Sequence, residues 1–545
     1  MVQRRMGALE WAMIALIMVV GVALRTIVIG RESLWGDEAL TLMLAKLPLF
    51  DLFFRPVDPT AGLYYAVHKV LVPDHMGAAV ARLPALIAGV LTIPAGYWLG
   101  RAALDRRAGY AVAALLAVSG PLIDYSQEAR AYSLLVLLVT LSAAALIQAF
   151  PLAASPSRGP VRWSSLAIFV LTGILAVYTH FVGWLWLMPA MLLALLQIDQ
   201  RSAATRVHLA LLAAAVLAVV MPELNRLAGY ALSSNNEFHW LVQADTATFF
   251  ALLDTVFLPL SAEFAVRWFP VEVASVLIVV RNVALVTWIY LALRHNFSRL
   301  RAALRRRAVA SWVILIFASI PLAGWLIGFL FTPMIMDRTA LPALPGLFLV
   351  LAALAHLKGG WRVILMLVLV YAGSSVASGL SRPKEQWATA ARIVAEQSTK
   401  RPLLLFCPTW RAAAFMTAAE QLRIGGSTMV VFKQGMARRV SIDLGRDPLW
   451  ADRYVRLAMQ PALPAYQSVL GPGRVVQLSG VPPEIIMVSS ECPERERKAI
   501  KEWLGPGEER RVGQAPAVRG YPAIDISLFR PAGQKMRTLI VDPAS

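Results

Sequence analysis

An aspartate and a glutamate stand side by side in Leu34-Trp35-Gly36-Asp37-Glu38-Ala39-Leu40-Thr41, just after the first long apolar run of the chain. A carboxylate at the edge of a low-dielectric layer has its charged form disfavoured, which moves its pKa towards the range useful to a general base. Asp37 is therefore the candidate catalytic base, with Glu38 beside it in the catalytic pair. Asp58 follows in the same loop. Asp124-Tyr125-Ser126-Gln127-Glu128-Ala129-Arg130-Ala131-Tyr132 then brings acids, an amide and an arginine into one short stretch. His180 in a tight turn, Arg281 inside an apolar run and Asp337-Arg338 complete the set. Arginine carries a permanent charge on a planar fork suited to phosphate. Acids able to take a proton from a hydroxyl, beside arginines able to hold a phosphate, describe a site where a hydroxyl attacks and a phosphate leaves.

The elements that must position these groups are membrane helices. The chain has 545 residues, of which 58% are hydrophobic and only 16% charged, with a mean hydropathy of +0.62. That is too apolar for a soluble protein of this size. The formal charge of +19 lies in short clusters between apolar runs, the pattern of loops facing a cytoplasm and anionic lipid rather than nucleic acid. Two cysteines exclude a disulfide framework and an iron–sulfur centre.

Runs long enough to cross a bilayer or to form shorter buried helices fall at 9–29, 78–98, 109–124, 131–150, 163–179, 181–197, 206–222, 271–293, 309–331, 341–357 and 361–379, about eleven spans. Arg4 and Arg5 precede the first, which is too long for a cleaved signal and reads as an anchor. With the N-terminus cytoplasmic, every inside connection is basic, from Arg101, Arg106 and Arg107 to the run Arg294 to Arg307. Apart from Arg281, which interrupts a span, the candidate site residues then share the outer face, at or beside the boundaries of their spans. Loops 31–77 and 222–270 read as helices lying along the membrane.

After residue 381 the composition becomes that of a soluble domain, giving a membrane unit over 1–381 and an outer α/β domain over 382–545. Helices are expected at Trp387–Gln397, Arg411–Leu422 and Glu494–Leu504, and strands at Leu403–Cys407, Met429–Phe432 and Glu484–Ser489. Cys407 and Cys492 each follow a strand, which leaves open a disulfide or two buried thiols.

The motifs also resemble a family. Trp35-Gly36-Asp37-Glu38-Ala39 resembles the Asp-Glu signature of GT-C glycosyltransferases, in the branch of protein O-mannosyltransferases and lipid A aminoarabinose transferases. The Gln127-Glu128-Ala129-Arg130 stretch, Thr179-His180-Phe181 and Asp337-Arg338 before Leu341-Pro342-Ala343-Leu344-Pro345 are similar to that branch's later motifs, in the same order. The chain departs from it at Asp58-Pro59-Thr60-Ala61-Gly62 before Leu63-Tyr64-Tyr65, where relatives carry His or Lys before two prolines, and at Arg338-Thr339 in place of Arg-Tyr.

The resemblance implies a polytopic GT-C enzyme of a bacterial plasma membrane. It would move a sugar, a hexose such as mannose or a pentose, from a polyprenyl-phosphate donor to a lipid, polysaccharide or protein acceptor, with inversion. Asp37 would be the base. Asp58, Tyr64, Gln127, Glu128, Arg130, Tyr132, Arg281 and Arg338 would line the substrates, and His180 with Glu128 would hold a divalent cation if one is used. No nucleotide cofactor is implied. The plain alternatives are a solvated loop for Asp37 and Glu38, a local ion pair for Glu128 and Arg130, a capping role for His180, and for Arg281 an ion pair with a neighbouring helix. A transporter or flippase of a lipid-linked substrate is the competing class.

Overall fold

The computed structural model describes residues 7–55, 60–73, 76–150, 161–197, 203–232, 245–258, 268–284, 308–330, 336–356, 360–381 and 386–397, with single positions at 261, 265, 287 and 294. In the C-terminal part it describes 403–407, 411–422, 427–433, 436–442, 474–478, 485–490, 492, 494–517, 523–532 and 537–541. Asp58, most of 233–267 and the basic run after Arg294 lie outside these residues.

The chain begins with the exposed apolar helix α1 (Ala8–Thr26), followed by four short helices: α2 (Gly36–Leu44), α3 (Leu49–Phe54), α4 (Gly62–Leu71) and α5 (Ala78–Ala81). The bundle continues with α6 (Leu83–Ala103), α7 (Arg106–Val118), α8 (Gly120–Ser126), α9 (Tyr132–Ala149), α10 (Trp163–Thr179), α11 (Gly183–Leu196) and α12 (Ala203–Leu232). Next come α13 (Thr246–Phe257), α14 (271–284), α15 (Ala308–Leu330), α16 (Asp337–Ala340), α17 (Leu344–Ala352) and α18 (Gly360–Ser381). Among the described residues six helices are long and apolar enough to cross a membrane, or seven if α7 and α8 count as one span bent by 59°. α10, α11 and α13 are apolar but shorter.

Two expected spans differ for reasons that involve proline. The run 341–357 is a chain of short α and 3-10 helices, because Pro342 and Pro345 each sit in a first turn, where the missing N–H costs nothing but the preceding turn cannot continue. In contrast, α12 does not stop at Pro222 but runs on to Leu232, carrying Glu223 and Arg226 with it.

The break between α7 and α8 is built around Arg25. Ser119 takes an extended conformation and Pro121 has no N–H to offer the carbonyl of Ala117. Arg25, in the last turn of α1, fills that gap, donating from Nη1 to Ala117 O at 2.8 Å and from Nη2 to Leu116 O at 3.0 Å. Its Nε donates to Ser126 Oγ at 3.2 Å. Helix-end carbonyls left without partners need such donors when buried.

The C-terminal part has the helices α19 (Trp387–Gln397), α20 (Ala412–Gln421) and α21 (Glu494–Leu504) on an eight-stranded mixed sheet of order β4-β8-β3-β2-β1-β5-β7-β6. The strands are β1 (Leu403–Cys407), β2 (Ser427–Lys433), β3 (Met436–Ile442), β4 (Arg474–Leu478), β5 (Ile485–Ser489), β6 (Gly507–Ala515), β7 (Ile524–Pro531) and β8 (Arg537–Val541). β1 is parallel to both β2 and β5 at the centre, while β7 and β6 add antiparallel strands on one side. Cys407 and Cys492 form a disulfide across 5.0 Å between Cα atoms. One apolar core joins the buried faces of α19, α20, β1 and β7 to Ala39, Met43 and Leu44 of α2 and Tyr64 and Tyr65 of α4. The helix that carries Asp37 in its first turn is thus backed by the sheet's own helices.

Candidate active site

The site grows from the first turn of α2. Trp35 is extended and caps the helix, so Asp37 and Glu38 fall in the first turn, where the exposed N–H groups favour negative charge. Their fates diverge at once. Glu38 is fully buried and reaches four protein donors: Arg82 Nε and Nη2, each at 2.8 Å, the Ala129 N–H at 2.9 Å and the Trp35 N–H at 3.3 Å. Arg82 also donates to the carbonyls of Ile29, Glu32 and Ser33. Burial works against the Arg82 charge, but Glu38 outweighs it and holds the guanidinium above its ordinary pKa. This bidentate pair fastens the chain entering α2 to the start of α6 and to the turn that carries Arg130. Arg82 gave no sign of this in the sequence, where it reads as one more basic residue at the edge of an apolar run.

Asp37 points the other way and remains partly open. Its Oδ2 accepts from Arg338 Nη1 at 2.9 Å and lies 4.0 Å from Arg130 Nη2. Arg130 Nη1 donates to Thr41 Oγ1 at 3.3 Å and to the Asp37 carbonyl at 3.4 Å, and Nη2 to Thr60 Oγ1 at 3.5 Å. Burial disfavours the Arg338 charge, yet the neighbouring tyrosines and Asp37 keep its pKa above the usual value. The Cζ atoms of Arg130 and Arg338 lie 5.9 and 5.7 Å from the Tyr132 ring. Tyr125 packs edge-on against Tyr132 and donates to Asp337 Oδ2 at 2.9 Å, which steadies the turn bearing Arg338. Residues far apart in sequence, Asp37, Arg130, Tyr132 and Arg338, therefore meet at one end of the bundle.

The other expected site residues are placed as follows. The Tyr64 hydroxyl is buried beside Glu38, Arg130 and Glu128 and has no hydrogen-bond partner among the described residues. Gln127 spends its amide N–H on the carbonyls of Leu24 and Arg25, so it ties this turn to the end of α1. Glu128 lies close enough to Tyr64 and Arg82 to act on both electrostatically. Arg281 is not part of the cluster around Asp37 but pairs with Asp254 of α13.

His180 sits in the turn between α10 and α11, its ring 5.4 Å from that of Tyr132. The turn is so tight that a Cβ on Gly183 would come 2.4 Å from the Ala176 carbonyl oxygen. Burial, reinforced by Arg130, Arg338 and Arg226, lowers the imidazole pKa to about 3. Three cations around one ring oppose a further cation there. Among the described residues no group of three or more His, Cys, Asp or Glu side chains is close enough to hold a metal, so His180 and Glu128 do not fit the cation role expected of them.

No protein-family model matches this sequence, and no curated protein sequence does. Solved structures do match. ArnT from Cupriavidus metallidurans in the apo state aligns over 95% of this chain and 98% of its own, with a TM-score of 0.54 at 14% identity. The same protein bound to undecaprenyl phosphate gives 0.53 over the same shares. The chain therefore shares the fold of this ArnT. The Archaeoglobus fulgidus oligosaccharyltransferase, in complex with Zn and sulfate, aligns with a TM-score of 0.48 at 12% identity over 88% of this chain and 68% of its own. Within this fold, the Asp37 cluster stands at the end of the bundle where the short helices α2 to α4 and the sheet domain meet it.

Proposed function

We propose that this chain is a membrane glycosyltransferase that moves a sugar from a polyprenyl-phosphate donor to an acceptor hydroxyl. The observation that carries the reading is the partly open Asp37 carboxylate held 2.9 Å from Arg338, with Arg130 at its back. The acceptor oxygen attacks the anomeric carbon of the sugar from the face opposite the phosphate, and its proton passes to Asp37. The bond from that carbon to the phosphate oxygen breaks, its electron pair leaves with the polyprenyl phosphate, and configuration at carbon inverts. Arg130 and Arg338 meet the charge that develops on the departing phosphate, preorganised because both guanidiniums are already fixed by protein contacts. Donor phosphate competes with Asp37 for Arg338, so donor binding itself releases the base. Glu38 acts here as a positioning residue, since its oxygens are committed to Arg82, Ala129 and Trp35. The ArnT bound to undecaprenyl phosphate supports the donor class.

The reading also places the site outside the cytoplasm. The Cys407–Cys492 disulfide supports an oxidising compartment for the sheet domain, which packs on α2. The test compares wild type with Asp37→Asn, purified in detergent, on a panel of radiolabelled polyprenyl-phosphate sugars with membrane extract as acceptor. Transfer is expected to fall by about 10²–10⁴-fold in the variant, the range of a lost general base, with donor binding retained. Equal transfer by both proteins removes Asp37 from the mechanism.

A further inference from the structure

His180 carries a donor that the protein itself does not use. Its Nδ1 accepts the Val182 N–H at 3.3 Å. A neutral ring with Nδ1 as acceptor carries its proton on Nε2, and among the described residues Nε2 has no hydrogen-bond partner. The ring is buried between Tyr132, at 5.4 Å, and Phe181, at 4.4 Å, in a turn that Gly183 keeps rigid. The ring is mostly buried, but Nε2 is not shut off from solvent, so a donor the protein leaves unmet there is open to water or to the acceptor of a ligand.

The surroundings state which acceptor. The nearby carboxylates are already engaged: Asp37 by Arg338 at 2.9 Å, and Glu223 by Arg226 through two contacts at 2.7 and 2.8 Å. Burial first, and then Arg130, Arg338 and Arg226, disfavour a charge on the His180 ring. A neutral N–H among guanidiniums suits an anionic oxygen, and it adds a hydrogen bond without adding charge. Resting on the polyprenyl-phosphate reading above, we propose that His180 binds a phosphate oxygen of the lipid-linked donor through Nε2–H, as a neutral contact beside Arg130 and Arg338.

Binding of undecaprenyl phosphate to the full chain in detergent, with inorganic phosphate and phosphatidylglycerol as competitors, tests this. His180→Phe keeps the ring packing and loses the donor, so affinity is expected to fall about tenfold or more, the scale of one hydrogen bond to a charged group. His180→Gln keeps an N–H at similar reach and is expected to stay within about threefold of wild type. With ¹⁵N-labelled histidine, the signal missing from the Phe variant is expected to report a neutral Nε2–H ring and to shift on ligand addition. Undiminished binding by the Phe variant overturns the assignment, as does a Gln variant that is equally weak while melting at the wild-type temperature. Binding that vanishes with a chelator and returns with a divalent cation would instead make His180 a metal ligand. Displacement by inorganic phosphate at equal concentration would make this a site for free phosphate. No binding by wild type removes the lipid-phosphate reading as a whole, a result distinct from any of these.

Discussion

The two ends of the helix bundle each place a carboxylate among arginines, with opposite patterns of burial. At one end Glu10, in the first turn of α1, is 4% exposed, while its partners Arg101 and Arg106 are 25% and 55% exposed at 3.1 and 3.4 Å. At the other end Arg338 and Arg130 are 12% and 7% exposed, and it is Asp37, at 27%, that stays more open. A buried acid surrounded by open cations is neutralised locally and leaves its arginines at the surface, an arrangement for anchoring helices at a headgroup boundary. Buried cations around an open acid leave a fixed positive field for an incoming anion and a base within reach of a hydroxyl. On the proposed function, the same residue types serve as an anchor at one end and as the reaction site at the other, and burial distinguishes the two.

The largest effect that would break this comparison lies behind Asp37. Arg82→Met leaves Glu38 buried without its cation, a change that costs about 3–5 kcal/mol. A clear fall in the thermal midpoint of the detergent-solubilised protein is expected, together with lost transfer, since both Asp37 and Arg130 hang on that node. The double variant Glu38→Gln/Arg82→Met removes the stranded charge but keeps an acceptor for the Ala129 and Trp35 N–H groups, and is expected to recover most of the stability. Failure to recover would mean that Arg82 matters through the carbonyls of Ile29, Glu32 and Ser33 instead.

A step smaller is Arg338→Gln, which removes one charge from the field but strands no buried partner, because Asp37 reaches solvent. Transfer is expected to drop about 10²-fold, the scale of one lost oxyanion contact. Arg338→Lys is expected to restore only part of it, as a point charge replaces a planar fork. Full activity in the lysine variant would show that charge alone, without fork geometry, holds the donor.

Much of the Asp37 site was legible in the sequence because each residue lay at the edge of an apolar run, and such edges must gather at the ends of a bundle. Asp37, Arg130, Tyr132 and Arg338 are brought together in that way. Arg281 stood inside a run rather than at its edge, and its pairing with Asp254 on a separate helix is the plain alternative that the sequence left open. Glu38 and Asp37 are adjacent and chemically alike, so only the turn of α2 separates a buried strut from an open base. Arg25 and Arg82 escaped notice because basic residues at span ends ordinarily set topology, whereas here they fill the hydrogen-bonding needs of a helix break and a loop. In the sheet domain the strands β1, β2 and β5 were read, while β3, β4, β6, β7 and β8 were not. Arg438 and Arg439 in β3, and Glu508 to Arg511 in the edge strand β6, hide the alternation that marks a strand.

The smallest expected effect tests the other half of the comparison. Glu10→Gln removes the acid that gathers Tyr97, Arg101 and Arg106, yet the amide carbonyl can still accept from the Tyr97 hydroxyl, as the carboxylate does. The two arginines retain water at their partly open ends, so no cation is stranded. Ion pairs with solvent-reaching arginines contribute about 0–1 kcal/mol, and the thermal midpoint is expected to fall by no more than that allows. Transfer is expected to stay within about twofold of wild type, because nothing at this end touches the Asp37 cluster. A loss of transfer as deep as that of Asp37→Asn, with stability intact, would mean that the Glu10 cluster takes part in the reaction cycle, and the contrast between anchor and active site would have to be abandoned.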